Sequence, residues 1–277
     1  MPDFLSVCEA AAHSGGQVLR DWQDRFTSRE KGIRDLVTEA DLASQEAIRK
    51  ILLGEFPDHD FLGEEDPLPL VSGEQAAKFT RKAEYRWIVD PLDGTANYVH
   101  RLSMFAVSIA LERAGEIIVG TVYDPLANEC FSAVKGKGAT LNGKSISASG
   151  CTRVDQSLVA VSFAPHITRE SLEIAWFVET LLHCQSARRL GSAALNLAYV
   201  AAGRMDAYLT TSVQIWDVAA GMLLVTEAGG VLSSLEGDPV NLLKPEFLAA
   251  ATPQLQHDLR RILLQARPLT ISSGPSR

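Results

Sequence analysis

The sequence predicts a mixed α/β (α+β) fold, and three observations carry that expectation. The first half sets two helix-period segments before a run of short strand-like segments joined by turns. The second half alternates strand and helix, which argues for a covered parallel or mixed sheet. The chain has 277 residues, 46% apolar and 22% charged, ample for a sizeable core.

Residues 3–26 place Phe4, Cys8, Ala11, Gly15, Val18 and Trp22 at steps of three and four, one face of a helix. "TSREKGIR" is polar, contains Gly32 and reads as a loop. In "DLVTEADLASQEAIRKILLG" a second helix begins, with Thr38 as N-cap and Asp41 closing a capping box. Ala40, Ala43, Ala47 and Ile51 are its expected inner face, and Gly54 its expected end. "FPDHDFLGEEDPLPL" gives a short extended piece, three acids and prolines, and residues 66–86 read as an exposed loop. "EYRWIVD" is a strand, and residues 103–134 form three more, joined at "RAGE" and "DPLANE". "KGKGATLNGKSI" adds a Gly-rich loop and a short strand.

After residue 150 the expected strands are "QSLVAVSF", "SARRL", "MDAYLTT" and "VLSS". The helices between them are "TRESLEIAWFVETLLHC", "GSAALNLAYVAAG" and "IWDVAAGMLLVTEAGG", with a last helix near 254–265. A soft boundary near residue 150 therefore divides the chain. Residues 1–150 form an N-terminal α+β half with the candidate metal-binding acids. Residues 151–277 form a C-terminal α/β half with the substrate pocket and Asp217.

A formal net charge of −8 argues against a broad basic surface for nucleic acid. Four cysteines form no C-x-x-C pair, so free thiols are expected. The N-terminus lacks a basic region before an apolar run, and no stretch approaches 18 apolar residues. The expectation is a cytoplasmic protein with neither a membrane nor a nucleic-acid partner.

The chemistry concentrates in "WIVDPLDGTANYVH", residues 87–100. A buried strand runs into Asp90, Pro91 and Asp93, and two carboxylates that close repel each other unless a cation lies between them. Asp90, Asp93 and the Leu92 carbonyl offer hard oxygens, which suit Mg²⁺ or Mn²⁺. Gly94 and Thr95 open a helical turn whose free N–H groups suit an anion. Plainer readings stand beside these. Asp93 alone fits an Asx-type turn, Asp217 an N-terminal helix charge, and Asp41 a capping box. Glu64, Glu65 and Asp66 fit an exposed acidic loop, a reading retained for Asp66. The Asp90–Asp93 pair with Glu64 and Glu65 upstream favours metal.

Asp41, "GEED", "VDPLDGT" and "WD" followed by eleven residues and Gly229-Gly230 occur in that order. With "KGKGATLNGK", "RRLGSAALN" and "GRMDAY", the set resembles the inositol monophosphatase family of magnesium-dependent, lithium-sensitive phosphatases, over about residues 4–265. The resemblance implies a layered α-β-α-β-α sandwich of the sugar-phosphatase type and a homodimer. It implies one metal on Glu64, Asp90 and the Leu92 carbonyl, and another on Asp90, Asp93 and Asp217. Glu64 and Thr95 would orient a metal-activated water, with Asp41 supporting Thr95. Asp93, Gly94, Thr95, Gly191, Ser192, Ala193 and Asp217 would hold substrate. Glu65 and Lys31 would be accessory.

The expected function is Mg²⁺-dependent hydrolysis of a small phosphorylated metabolite, inositol 1-phosphate first. Fructose-1,6-bisphosphatase, nucleotide 3′-phosphatase or NADP phosphatase activity is the enzymatic alternative. A regulatory binding protein on the same fold is the non-enzymatic one. At Thr210, seven residues before Asp217, the resemblance implies a substrate contact, but inositol-specific relatives carry glutamate there. Broad or shifted specificity follows.

Overall fold

A computed structural model describes residues 3–23, 25–32, 35–66, 83–163 and 166–268. Helix α1 (Phe4–Trp22) buries Val7, Cys8, Ala11, Ala12, Gly15, Gly16 and Leu19 on one face. The "TSREKGIR" stretch is not a loop. Strands β1 (Ser28–Gly32) and β2 (Asp35–Thr38) pair antiparallel there, so their polar backbone is satisfied by a partner that periodicity could not reveal. Lys31 falls in β1, and its side chain lies outside the described residues.

Helix α2 (Glu39–Glu55) starts in the predicted capping box. The Thr38 hydroxyl accepts from the Ala40 and Asp41 amides at 3.1 and 3.4 Å, and Asp41 accepts from the Thr38 amide at 2.8 Å. The buried face is not the expected row of alanines. It runs Ala40, Asp41, Ser44, Gln45, Ile48 and Leu52, so of the expected residues only Ala40 is buried, and Ala43, Ala47 and Ile51 are partly covered. Three polar residues thus point inward, toward the site. The helix runs through Gly54 to Glu55.

Strands β3 (Asp60–Gly63), β4 (Tyr85–Asp93), β5 (Ala106–Arg113), β6 (Glu116–Asp124), β7 (Glu129–Val134), β8 (Ala139–Leu141) and β9 (Lys144–Ile146) form one sheet in chain order. Only β3 and β4 are parallel. A short helix, α3 (Thr95–Val99), follows β4. The second sheet runs β11-β10-β12-β14-β13, built from β10 (Leu158–Val161), β11 (Ser186–Arg188), β12 (Ala207–Thr210), β13 (Val231–Ser233) and β14 (Phe247–Ala250). Its β10 pairs parallel with β11 and β12, and β14 pairs antiparallel with β12 and β13. Strand β14 was missed in the sequence because "FLAA" is too short to show a period.

The remaining helices are α4 (Leu172–His183), α5 (Ala193–Ala201), α6 (Ile215–Glu227) and α7 (Pro253–Gln265). One apolar cluster joins α1 and α2 to the outer face of the large sheet through Leu19, Ile48, Leu52, Trp87 and Val107. A second packs α5 and α6 between the two sheets, through Leu195, Leu197, Val218, Leu224, Val122 and Tyr208. The third seats α7 on the far face of the small sheet through Leu255, Leu259 and Leu263, with Trp176 and Phe177 of α4 beside it. The layers are α-β-α-β-α. No helix among the described residues is long and apolar enough to cross a membrane.

Candidate active site

Strand β4 extends past the expected end at Asp90 and reaches Asp93. Asp90 faces Ser108 and Asp93 faces Ala106 on β5, so three steps on one strand oppose two on the other. That is a β-bulge. In an unbroken strand, residues three apart point to opposite faces; the extra residue restores Asp93 to the side of Asp90. Gly94 then takes φ +97°, and a Cβ there would lie 2.8 Å from the Met104 carbonyl, so only glycine fits this corner. Helix α3 begins immediately after, with Thr95 as its first residue.

Asp93 is held by the start of α5. The Ser192 hydroxyl donates to it, as do the Ala193 and Ala194 amides at 3.2 and 2.8 Å. Ser192 also caps α5 by accepting from the Leu195 amide at 3.2 Å. Asp217 sits in the first turn of α6 and accepts from the Gln214 amide at 2.7 Å. Asp41 is fully buried, and its second oxygen accepts from the Thr95 hydroxyl at 3.4 Å. The same hydroxyl reaches the Leu92 carbonyl at 3.1 Å. Asp41 is therefore both the helix cap and a neighbour of the site.

The acids repel one another. Burial, then the charges of Glu64, Asp93 and Asp217, hold Asp90 well above the usual carboxylate range. Burial, then Asp93 and Glu64, do the same to Asp217. Asp93 is pushed up to about 6 by burial, with its hydrogen bonds from Ser192, Ala194 and Ala193 pulling the other way. Burial lifts Asp41 to about 7 against its bonds from Thr38.

Among the described residues, no three His, Cys, Asp or Glu side chains form a ready-made metal cage. Asp90 nevertheless lies within hydrogen-bonding reach of Glu64 and of Asp217. Their chemistry fits a hard divalent cation: the gathered groups are carboxylates and a carbonyl, hard oxygen donors throughout. Glu64, Asp90, the Leu92 carbonyl, Asp93 and Asp217 are the residues that would hold it.

Gly191, Ser192 and Ala193 lie at the Asp93 end, with Gly191 exposed and the other two buried. Thr210 is fully buried, and its hydroxyl closes no hydrogen bond within 3.5 Å. It stands near the Tyr208 phenol, which bonds Ser162 at 2.9 Å. A cavity of about 560 Å³ touches Thr210, but Glu64, Asp90, Asp93 and Asp217 do not line it.

Three participants were not legible in the sequence. Asn97 donates to the Met104 and Leu190 carbonyls at 2.6 and 2.8 Å, tying α3 to the approach of Gly191. Ser108 ties β5 to α6. Asp66, assigned above to an exposed loop, is partly buried and bonded to Gln45 and Arg49. No local pattern announces bonds that span so much of the chain.

Two sheets with helices between them, and buried carboxylates at a strand end beside two helix starts, define a class: hydrolases that handle anionic phosphate esters. The sequence pattern of the inositol monophosphatase family matches residues 3–267. The Nus factor SuhB of Pasteurella multocida (strain Pm70) is 36% identical over 266 residues, spanning 95% of this chain and 96% of that one. An inositol-1-monophosphatase of Mesorhizobium japonicum is 38% identical over 235 residues, spanning 83% and 85%. The solved inositol monophosphatase of Anabaena (Nostoc) sp. PCC 7120 superposes with a TM-score of 0.82 at 35% identity, over 96% of this chain and 97% of that one. The chain belongs to the inositol monophosphatase family, and it is a phosphatase.

Proposed function

We propose that this chain hydrolyses a small phosphate monoester with Mg²⁺, for which Mn²⁺ can substitute, and that inositol 1-phosphate is among its substrates. The observation that carries the reading is the gathering of buried Asp90 and Asp93, brought to one side by the β4 bulge, with half-buried Asp217, tied to the same strands through Ser108 and Trp216. When bound, divalent cations would neutralise these acids and the phosphate, polarise the attacking water and stabilise the leaving oxygen.

The chain's own groups have separate tasks. Glu64 and the Thr95 hydroxyl orient the water, and as Thr95 takes the water's proton its own passes to Asp41, whose oxygen lies 3.4 Å away. The Gly94 and Thr95 amides, at the free start of α3, hold phosphate oxygens. Gly191, Ser192, Ala193 and Thr210 border the alcohol, while Asp93 and Asp217 reach both cation and substrate. Glu65 and Lys31 serve as accessory groups. The working form is a cytoplasmic homodimer, and inhibition by lithium is expected from the family.

Neutral Thr210 weakens the case for strict inositol specificity and keeps sugar bisphosphates, nucleotide 3′-phosphates and NADP as candidate substrates. Relatives named Nus factor SuhB favour a second reading, association with a regulatory partner. The test is phosphate release from a panel of esters, including an aryl phosphate, with Mg²⁺ and with chelator. No turnover from folded protein in Mg²⁺ overturns the phosphatase reading for this chain and favours the binding role.

A further inference from the structure

Helix α2 turns a polar face toward the acids, and each polar residue on that face holds a different part of the site. Asp41 touches Thr95, as described. One turn on, the Ser44 hydroxyl donates to the Pro91 carbonyl at 3.0 Å, inside the Asp90–Asp93 bulge. Next to it, Gln45 is almost fully buried and spends both ends of its amide on the "GEED" turn. Its carbonyl accepts from the Glu65 amide at 3.0 Å, and its NH₂ donates to Asp66 at 3.1 Å.

Asp66 closes the same turn from the other side. It accepts from the Gly63 amide at 3.0 Å, and its own amide donates to the Gly63 carbonyl at 3.3 Å. Arg49, one turn beyond Gln45, pairs with Asp66 and lies over the Phe61 ring at 3.9 Å. Gly63 leaves room for this arrangement, since a Cβ there would stand 2.2 Å from the Gln45 side-chain oxygen. The Glu64 amide completes the turn by donating to the Val89 carbonyl, at the residue before Asp90, at 3.0 Å.

We infer that Gln45 and Asp66, tied by Arg49, form a positioning clamp that sets the Glu64–Glu65 turn against the Asp90–Asp93 bulge and thereby fixes affinity for the divalent cation. The inference rests on the proposal that these acids take such a cation. Gln45 touches neither substrate nor the reacting atoms. Its part is to hold the backbone amide between two carboxylates whose repulsion, in the absence of positive charge, would spread the turn. Groups that orient metal ligands typically change affinity by ~10–100-fold when removed. The clamp therefore acts on the cation concentration needed, not on the rate once cation is saturating.

The test compares wild type, Gln45→Met and Asp66→Asn with Mg²⁺ and Mn²⁺ as probes. Two quantities are read: the rise in thermal midpoint on adding cation, and the Mg²⁺ concentration giving half-maximal aryl phosphatase activity. Gln45→Met keeps the volume and loses both bonds. It should raise the half-saturating Mg²⁺ about tenfold or more and shrink the midpoint rise at a fixed subsaturating concentration. Its kcat at saturating Mg²⁺ should stay within about threefold of wild type. Asp66→Asn keeps an acceptor for Gly63, so its shift should be smaller, and it stands in if Gln45→Met does not fold. A variant with a lower metal-free midpoint but unchanged Mg²⁺ dependence shows ordinary structural roles and overturns the clamp. If wild type itself gives neither a midpoint rise nor cation-dependent turnover, the metal reading falls first and takes the clamp with it.

Discussion

The Ser108 hydroxyl donates to the Trp216 carbonyl at 3.1 Å. Ser108 is also the β5 residue facing Asp90, and Trp216 precedes Asp217. One hydrogen bond thus joins the strand pair that carries Asp90 to the helix turn that carries Asp217. It fixes acids from the two halves of the chain in mutual repulsion. Asp90→Asn removes a group whose ionisation burial and the neighbouring acids oppose, and keeps an oxygen to accept from the Leu92 amide, now bonded at 3.0 Å. In chelator near neutral pH the variant should therefore melt higher than wild type, by about 2–4 °C for ~1 kcal/mol in a chain of this size. Added Mg²⁺ should raise the wild-type midpoint and the variant's much less. A variant that melts lower in chelator, as an ordinary core polar substitution would, contradicts this account of the site.

The pH dependence of the cation-free protein has a definite sign. Burial pushes Asp93 up to about 6 and Asp41 up to about 7 in the fold, both above the ordinary carboxylate value. Between those values the native state binds more protons than the unfolded chain, so stability falls as pH rises. The contribution is complete below about pH 4, the unfolded value, and is lost as pH climbs through 6 and 7. Thermal melts in chelator from pH 4.5 to 8 should show the decline above any general acid effect, and saturating Mg²⁺ should flatten it. Asp41→Asn should flatten part of it without metal. Melts that are steeper in Mg²⁺ than in chelator would refute the assignment.

Thr95 is placed for proton handling, because its one hydroxyl lies between the Asp41 carboxylate and the Leu92 carbonyl. Thr95→Val keeps the shape and removes the hydroxyl. The expected loss in kcat is about 10²–10⁴-fold, the usual range for general acid–base participation, with the Mg²⁺-induced midpoint rise retained. A loss of metal response equal to the loss of rate would instead make Thr95 a structural support of the acids.

Much of the fold was readable because its signals are local. The Thr38–Asp41 capping box and the helix period of α1 need only their own residues. What could not be read depends on distant partners. Polar "SREKG" becomes a strand only because β2 lies beside it, and β14 only because β12 and β13 flank it. Asp90 and Asp93 could be named as a pair from their spacing, but the bulge that puts them on one side is a property of β4 against β5. Asp66 looked like a loop acid for the same reason: Gln45 and Arg49, which bury it, lie on another element.

Thr210 is the place where specificity can be tested. Its hydroxyl is buried beside the Tyr208 phenol and closes no hydrogen bond within 3.5 Å, and a buried hydroxyl so poorly met ordinarily costs stability. Thr210→Val removes that cost at nearly constant shape, so the midpoint should rise or hold. If the Thr210 hydroxyl meets the substrate's alcohol, kcat/KM for inositol 1-phosphate should fall severalfold in the variant, as for one lost neutral hydrogen bond of about 0.5–1.5 kcal/mol. Aryl phosphate, with no hydroxyl to offer, should be hydrolysed as before. Wild type should show broad specificity, since one neutral hydroxyl discriminates among alcohols less than a carboxylate does. A wild type that prefers inositol 1-phosphate by about a hundredfold over every other ester, undiminished in Thr210→Val, would move the reading of the alcohol to residues other than Thr210.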